Sequence, residues 1–68
     1  MELTINNQTR HFTESTVTIQ TMLDIEIPLK QKGIAVAVNN TVIPKTQWNS
    51  FTLSSTDQIL IISATQGG

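Results

Sequence analysis

Five consecutive apolar residues, Ile34-Ala35-Val36-Ala37-Val38, constrain this chain more than any other feature. Neighbouring side chains of a strand point to opposite faces. An unbroken apolar run therefore predicts a central strand covered on both faces. The rest of the chain must be arranged around it, and there is little to arrange: 68 residues, none of them cysteine. Neither a disulfide nor a thiolate zinc site can brace so small a domain, so packing alone must hold it.

The flanking segments supply the other elements. Leu3 and Ile5 alternate with Glu2 and Thr4, which is strand periodicity. Asn6-Asn7 is a turn pair that tolerates left-handed backbone, and Gln8 to Thr13 can return as a second strand with Phe12 inward. Ser15 or Thr16 can cap a helix. Val17, Leu23 and Ile27, with Ile19 and Met22 nearby, then give an apolar stripe at helical spacing. Pro28 ends that helix, because the residue before proline avoids helical backbone. Lys30 to Gly33 is a connection. After the central run, Asn39-Asn40 turns the chain into a short strand, Thr41-Val42-Ile43, which Pro44 stops. Lys45 to Trp48 reads as a brief turn with Trp48 plugging the core, Ser54 to Asp57 as a polar turn, and Ile59-Leu60-Ile61-Ile62 as the last strand.

The order is hairpin, helix, strand, short strand, irregular segment, strand and tail. One helix across a mixed sheet of about four to five strands is the economical two-layer solution, an α+β fold of the β-grasp (ubiquitin-like) type. The expected organisation is one domain over residues 1–68, with residues 63–68 as a flexible tail.

Composition removes several classes of function. Arg10, Lys30, Lys32 and Lys45 are scattered, and a nucleic-acid binder is expected to cluster its basic residues. No apolar run approaches the ~18 residues of a membrane span. Met1-Glu2-Leu3-Thr4 lacks the basic start and apolar core of a secretory signal, so the expected compartment is the cytoplasm. A single histidine, His11, cannot make a metal site and reads as a surface residue. The carboxylates are dispersed, and Asp57 is expected to cap a turn. No glycine-rich loop follows a strand, so no phosphate cradle is expected. A domain this small also has little room for a pocket of several hundred Å³. Without cysteine, the chain cannot carry sulfur as its own persulfide or act as a thiol nucleophile. An enzyme with catalytic groups of its own is not expected.

The end of the chain remains. The last strand runs into a polar segment closing on Gln66-Gly67-Gly68. Glycine has no side chain and wide backbone freedom, so such an end can thread a narrow channel and present the Gly68 carboxylate inside another protein. A carboxylate is a poor electrophile until a partner activates it as an acyl-adenylate. The last strand also carries four successive apolar residues, although a sheet covered on one side needs only every second one. Alternation assigns Ile59 and Ile61 to the helix side, with Val17, Leu23 and Phe12, and Leu60 and Ile62 to the open face. Those two are the candidate partner-docking face, unless the loop carrying Trp48 and Phe51 covers them.

The whole chain resembles the ThiS family, the sulfur carriers of thiamin thiazole biosynthesis. The resemblance rests on Leu3-Thr4-Ile5-Asn6-Asn7, on Val36 to Asn40 continuing into Val42-Ile43-Pro44-Lys45, on Gln47-Trp48, and on Asp57-Gln58-Ile59-Leu60 down to Gly67-Gly68. The chain departs from the family at Ser55-Thr56-Asp57, where Asp-Gly-Asp is frequent, and at Gln66, where a small residue is usual. The resemblance implies that a ThiF-like adenylyltransferase uses ATP and magnesium to adenylate Gly68. Sulfur from a donor such as a cysteine desulfurase then converts the terminus to a thiocarboxylate, and a ThiG-like thiazole synthase takes the sulfur. The chain itself would bind no cofactor or metal and would be a monomer when free. The alternatives are the small subunit of a molybdopterin synthase and a ubiquitin-like protein modifier, which share the activation chemistry.

Overall fold

Asn6 and Asn7 adopt left-handed backbone (φ 50° and 65°), and so do Asn39 and Asn40 (φ 51° and 70°). Two-residue hairpin loops of the type that matches strand twist need positive φ at both central positions, and asparagine tolerates it. Each pair therefore folds the chain back on itself. The computed structural model describes residues 1–29 and 31–63. Its elements are β1 (Glu2–Ile5), β2 (Gln8–His11), β3 (Val17–Thr18), α1 (Ile19–Glu26), β4 (Ile34–Val38), β5 (Thr41–Ile43), a 3₁₀ turn (Lys45–Gln47), β6 (Thr52–Leu53) and β7 (Gln58–Ser63).

The main sheet has five strands in the order β2-β1-β7-β4-β5. β1 and β7 run parallel, and the other neighbours are antiparallel. Helix α1 lies across one face. Its Ile19, Met22 and Leu23 join Leu3, Ile5, Val36, Val38, Ile43 and Ile59 in one core, which Phe12, Trp48 and Leu53 close at the sides. This is the β-grasp arrangement. The Trp48 indole is buried and donates its N–H to the Ile43 carbonyl at 2.9 Å, so the one polar atom of that side chain is satisfied.

The strand at the centre is β7, not β4, which lies one place from the edge. The unbroken apolar run of β4 has a different cause from burial under two layers. Val36 and Val38 face the core. Ala37 faces the other way and is buried by its cross-strand neighbours Leu60 and Val42, while Ala35 beside Ile62 is only half-buried. Small side chains on a face without a second layer are shielded by larger ones across the strands.

Helix α1 also starts later than its apolar stripe suggests. Val17 is extended and pairs with Leu53 in a separate two-stranded ladder of β3 and β6. The cap is Thr18 rather than Ser15 or Thr16: its hydroxyl accepts the Thr21 N–H at 3.2 Å. The other two first-turn donors go to the chain beyond the 3₁₀ turn. Ile19 N–H reaches the Phe51 carbonyl and Gln20 N–H the Trp48 carbonyl, both at 3.0 Å. These are the groups a helix start leaves unpaired, and they explain why residues 48–53 sit where they do. The segment read as irregular thus contains β6. The helix stops at Glu26, with Ile27 closing it ahead of Pro28. Ser63, assigned above to the tail, is the last residue of β7 and pairs with Ile34, because β4 extends far enough to offer it a partner.

Candidate functional site

The two faces of β7 divide as its pleat requires. Ile59 is buried, and Ile61 is partly buried against the same core. Leu60 and Ile62 turn away from the helix, with 37% and 48% of their surfaces exposed. The loop carrying Trp48 and Phe51 does not cover them, because Trp48 is in the core and Phe51 packs against it from the helix side.

Register shows how far the exposed patch extends. Leu60 pairs with Ala37, and Ala37 with Val42, so these three form one row across β7, β4 and β5. Ile62 and Ala35 form the next row. Val42 is 62% exposed, more than either residue of β7. Val42, Ala35 and Ala37 were missed by sequence reasoning because their common face depends on the β4–β5 register. The available signal was the hairpin: with Asn39-Asn40 as a two-residue loop and Ile43 facing in, Val42 must face out.

The other half of the open face is polar. Glu2 pairs with His11, Thr4 with Thr9, and Thr4 also with Gln58. His11 is exposed, with its Nδ1 4.0 Å from a Glu2 carboxylate oxygen. No group of three or more potential metal-ligating side chains occurs among the described residues. The open face is therefore apolar near the end of β7 and polar toward the edge formed by β2.

Side-chain bonds fix where β7 begins. Asp57 accepts the Ser54 N–H at 2.8 Å and the Asn39 amide N–H at 2.9 Å, which makes it the turn cap expected of it. The Asn39 side-chain oxygen in turn accepts the Gln58 N–H at 2.9 Å. Gln66, Gly67 and Gly68, the residues assigned to the reactive end, lie outside the described residues.

The helix side is not featureless. A groove of about 340 Å³ opens between the end of the helix and the strands, lined by Ile5, Arg10, Glu26, Ile27, Ile34 and Ile61 among others. A concavity of that size was not expected in so short a chain. The Arg10 guanidinium there is engaged by Glu26 at 3.3 Å and by the Gln8 side-chain oxygen at 2.9 Å. Farther along the helix, Gln20 and Gln31 both donate to one Asp24 carboxylate oxygen at 2.9 Å. Those two bonds, the one from Gln31 first, hold the Asp24 carboxyl below its ordinary range. No described helix is long and apolar enough to cross a membrane.

The model of the ThiS family matches residues 3–68 of the chain. Among solved structures, the crystal structure of a thiamine biosynthesis protein (ThiS) from Geobacter metallireducens superposes with a TM-score of 0.86 over 100% of both chains. The two sequences are 17% identical, so that likeness is one of fold. No curated protein sequence matches this chain.

Proposed function

The chain belongs to the ThiS family, and we propose that it is a sulfur carrier of thiamin biosynthesis whose working group is the carboxylate of Gly68. The observation that carries this reading is that the family match covers residues 3–68 and so includes Gly67 and Gly68. The exposed row of Leu60 and Val42, with Ile62 beside it, supports the same reading. It gives a partner an apolar surface next to the strand that leads to the terminus.

In this cycle an adenylyltransferase of the ThiF type provides ATP, magnesium and the catalytic groups. A Gly68 carboxylate oxygen attacks the α-phosphorus of ATP, pyrophosphate leaves, and an acyl-adenylate forms. A persulfide from a donor such as a cysteine desulfurase attacks the acyl carbon, AMP leaves, and a thiol reductant cleaves the resulting acyl disulfide, supplying the two electrons. The terminus becomes a thiocarboxylate. A thiazole synthase of the ThiG type transfers the sulfur to its substrate, an oxygen from water or from the sulfur acceptor takes its place on the acyl carbon, and the carboxylate returns. The chain contributes a body to be recognised and an end to be loaded, which makes it a co-substrate rather than an enzyme, working in the cytoplasm. Gly67 and Gln66 pass through the partner's channel, where a side chain at Gly67 would meet the walls.

The test is the intact mass of the protein isolated from its host under thiamin limitation. A population heavier by the exchange of one terminal oxygen for sulfur is expected. A lysine conjugate, or an end that stays a carboxylate throughout, overturns the reading. With the purified adenylyltransferase, deletion of Gly68 is expected to abolish pyrophosphate exchange while the melting curve stays unchanged, and Gly67→Leu is expected to slow loading.

A further inference from the structure

The pairing of β1 with β7 stops at Ile5 opposite Ile59, because the chain turns away at Asn6. A strand directs its N–H and C=O groups alternately to one neighbour and the other. Ile61 is the next residue of β7 to face that side, and no residue of β1 is left to meet it. The Asn6 side chain takes the vacant place. Ile61 N–H donates to Asn6 Oδ1 at 2.8 Å, and Asn6 Nδ2 donates to the Ile61 carbonyl at 3.4 Å. Asn6 also donates its own backbone N–H to the Ile59 carbonyl at 2.8 Å. Since Ile61 N–H can only donate, it fixes which end of the amide faces it. The primary amide thus acts as one more peptide unit, prolonging the ladder past the end of β1. Left-handed backbone at φ 50° is what turns the main chain aside while its side chain stays in line with the strand.

The consequence concerns the pivot of the reactive end. On its other edge β7 is paired with β4 as far as Ser63. With Asn6 in place, Ile61 is held on both edges. Without it, hold from the β1 side ends at Ile59. Residues 60–63 are then held by β4 alone, on one edge, which leaves the end of the strand freer to bend and twist. A carboxylate that must meet ATP inside another protein is sensitive to small displacements of the strand that leads to it. We propose that Asn6 is a positioning residue for the terminus: its side-chain amide clamps the β1 edge of β7 at Ile61, past the end of β1, and so sets how often a docked carrier presents Gly68 correctly. The inference rests on the sulfur-carrier reading and deepens it.

The test compares Asn6→Gly with Asn7→Gly. Both asparagines have positive φ in the same turn, so glycine fits both, and Asn7 makes no side-chain hydrogen bond among the described residues. Only Asn6→Gly removes the amide. Amide hydrogen exchange at Ile61 is expected to speed up about three- to tenfold in Asn6→Gly, the range of one exposed hydrogen bond, and to stay unchanged in Asn7→Gly. In loading by the adenylyltransferase, kcat is expected to fall by a similar factor with KM nearly constant, because the docking body is intact. Asn6→Asp, which keeps the oxygen for the Ile61 N–H but sets a carboxylate oxygen in place of the donor to the Ile61 carbonyl, is expected to restore part of both. Unchanged exchange at Ile61, or equal kcat for Asn6→Gly and Asn7→Gly, overturns the proposal. Failure of the unaltered chain to be adenylated at all is a different result. It overturns the carrier reading and the loading role with it, while exchange at Ile61 still decides whether Asn6 holds the strand.

Discussion

Ile59 and Leu60 are neighbours in the central strand, equal in size and nearly equal in hydrophobicity, yet the fold places them oppositely. Ile59 is 1% exposed beneath the helix, whereas Leu60 is 37% exposed on the open face. The same division separates Ile61, packed against the core, from Ile62, 48% exposed. On the helix side, apolar surface is already removed from water and contributes to stability. On the open face, much of it still meets water and remains available to a second protein. A single β-strand therefore presents one kind of residue to two environments, and the pleat alone decides which residue meets which.

The largest effect should come from breaking the buried side. Ile59→Asp places an unpaired carboxylate in the core and is expected to cost more than ~3 kcal/mol, much of the stability of so small a domain. Circular dichroism should show an unfolded or barely cooperative chain. Ile61→Asp, at a partly buried position, is expected to destabilise less than Ile59→Asp but more than any change on the open face. Ile62→Asp should shift the melting curve by less than ~0.5 kcal/mol, as surface substitutions do. It should nevertheless weaken binding to the adenylyltransferase by fivefold or more, the effect of losing an apolar anchor worth at least ~1 kcal/mol. Val42→Asp tests how far the contact reaches across β4 to β5. If Ile62→Asp destabilises the fold more than Ile59→Asp, the two faces have been exchanged.

The contrast between the faces was legible because it follows from a period of two, which needs no knowledge of neighbours. The hairpins, the capping role of Asp57 and the burial of Trp48 were legible for a similar reason: each depends on a few adjacent residues. What failed depended on partners distant in the chain. Val17 fits a helical stripe, yet pairing with Leu53 makes it a strand residue, and nothing near Val17 announces Leu53. The alanines of β4 looked like burial on both sides because apolar residues do not reveal whether a second layer or a longer cross-strand neighbour covers them. Val42 escaped notice through the same dependence on register. The helix start offers a direct test of the corrected reading. Thr18→Ala should cost about 1 kcal/mol in thermal unfolding, the usual effect of losing a cap, whereas Ser15→Ala should cost almost nothing. Equal losses would restore the earlier start of the helix and remove Val17 from its ladder.

The smallest predicted effect separates the faces by pH. Asp24 lies on the exposed side of α1 and accepts from Gln31 and Gln20, so it ties the helix to the connection leading into β4. Those two bonds, with Gln31 the larger cause, lower its pKa from the ordinary 3.8. A carboxyl with a depressed folded-state pKa contributes stability that is fully present above its unfolded value. That contribution is lost as pH falls through the folded pKa. Acid should therefore loosen the helix layer below the ordinary carboxylate range while neutral pH leaves it untouched. The apolar half of the open face has no part in this, since Leu60, Ile62 and Val42 do not titrate. Melting temperatures of the natural chain and of Asp24→Ala are expected to differ at pH 6 and to converge in acid as Asp24 protonates. Hydrogen exchange at α1 should follow the same course, with exchange at Leu60 and Ile62 changing less. A gap between the two chains that stays constant down to the lowest pH would show that the Asp24 side chain acts through packing rather than charge, and the helix clasp would then have no electrostatic component.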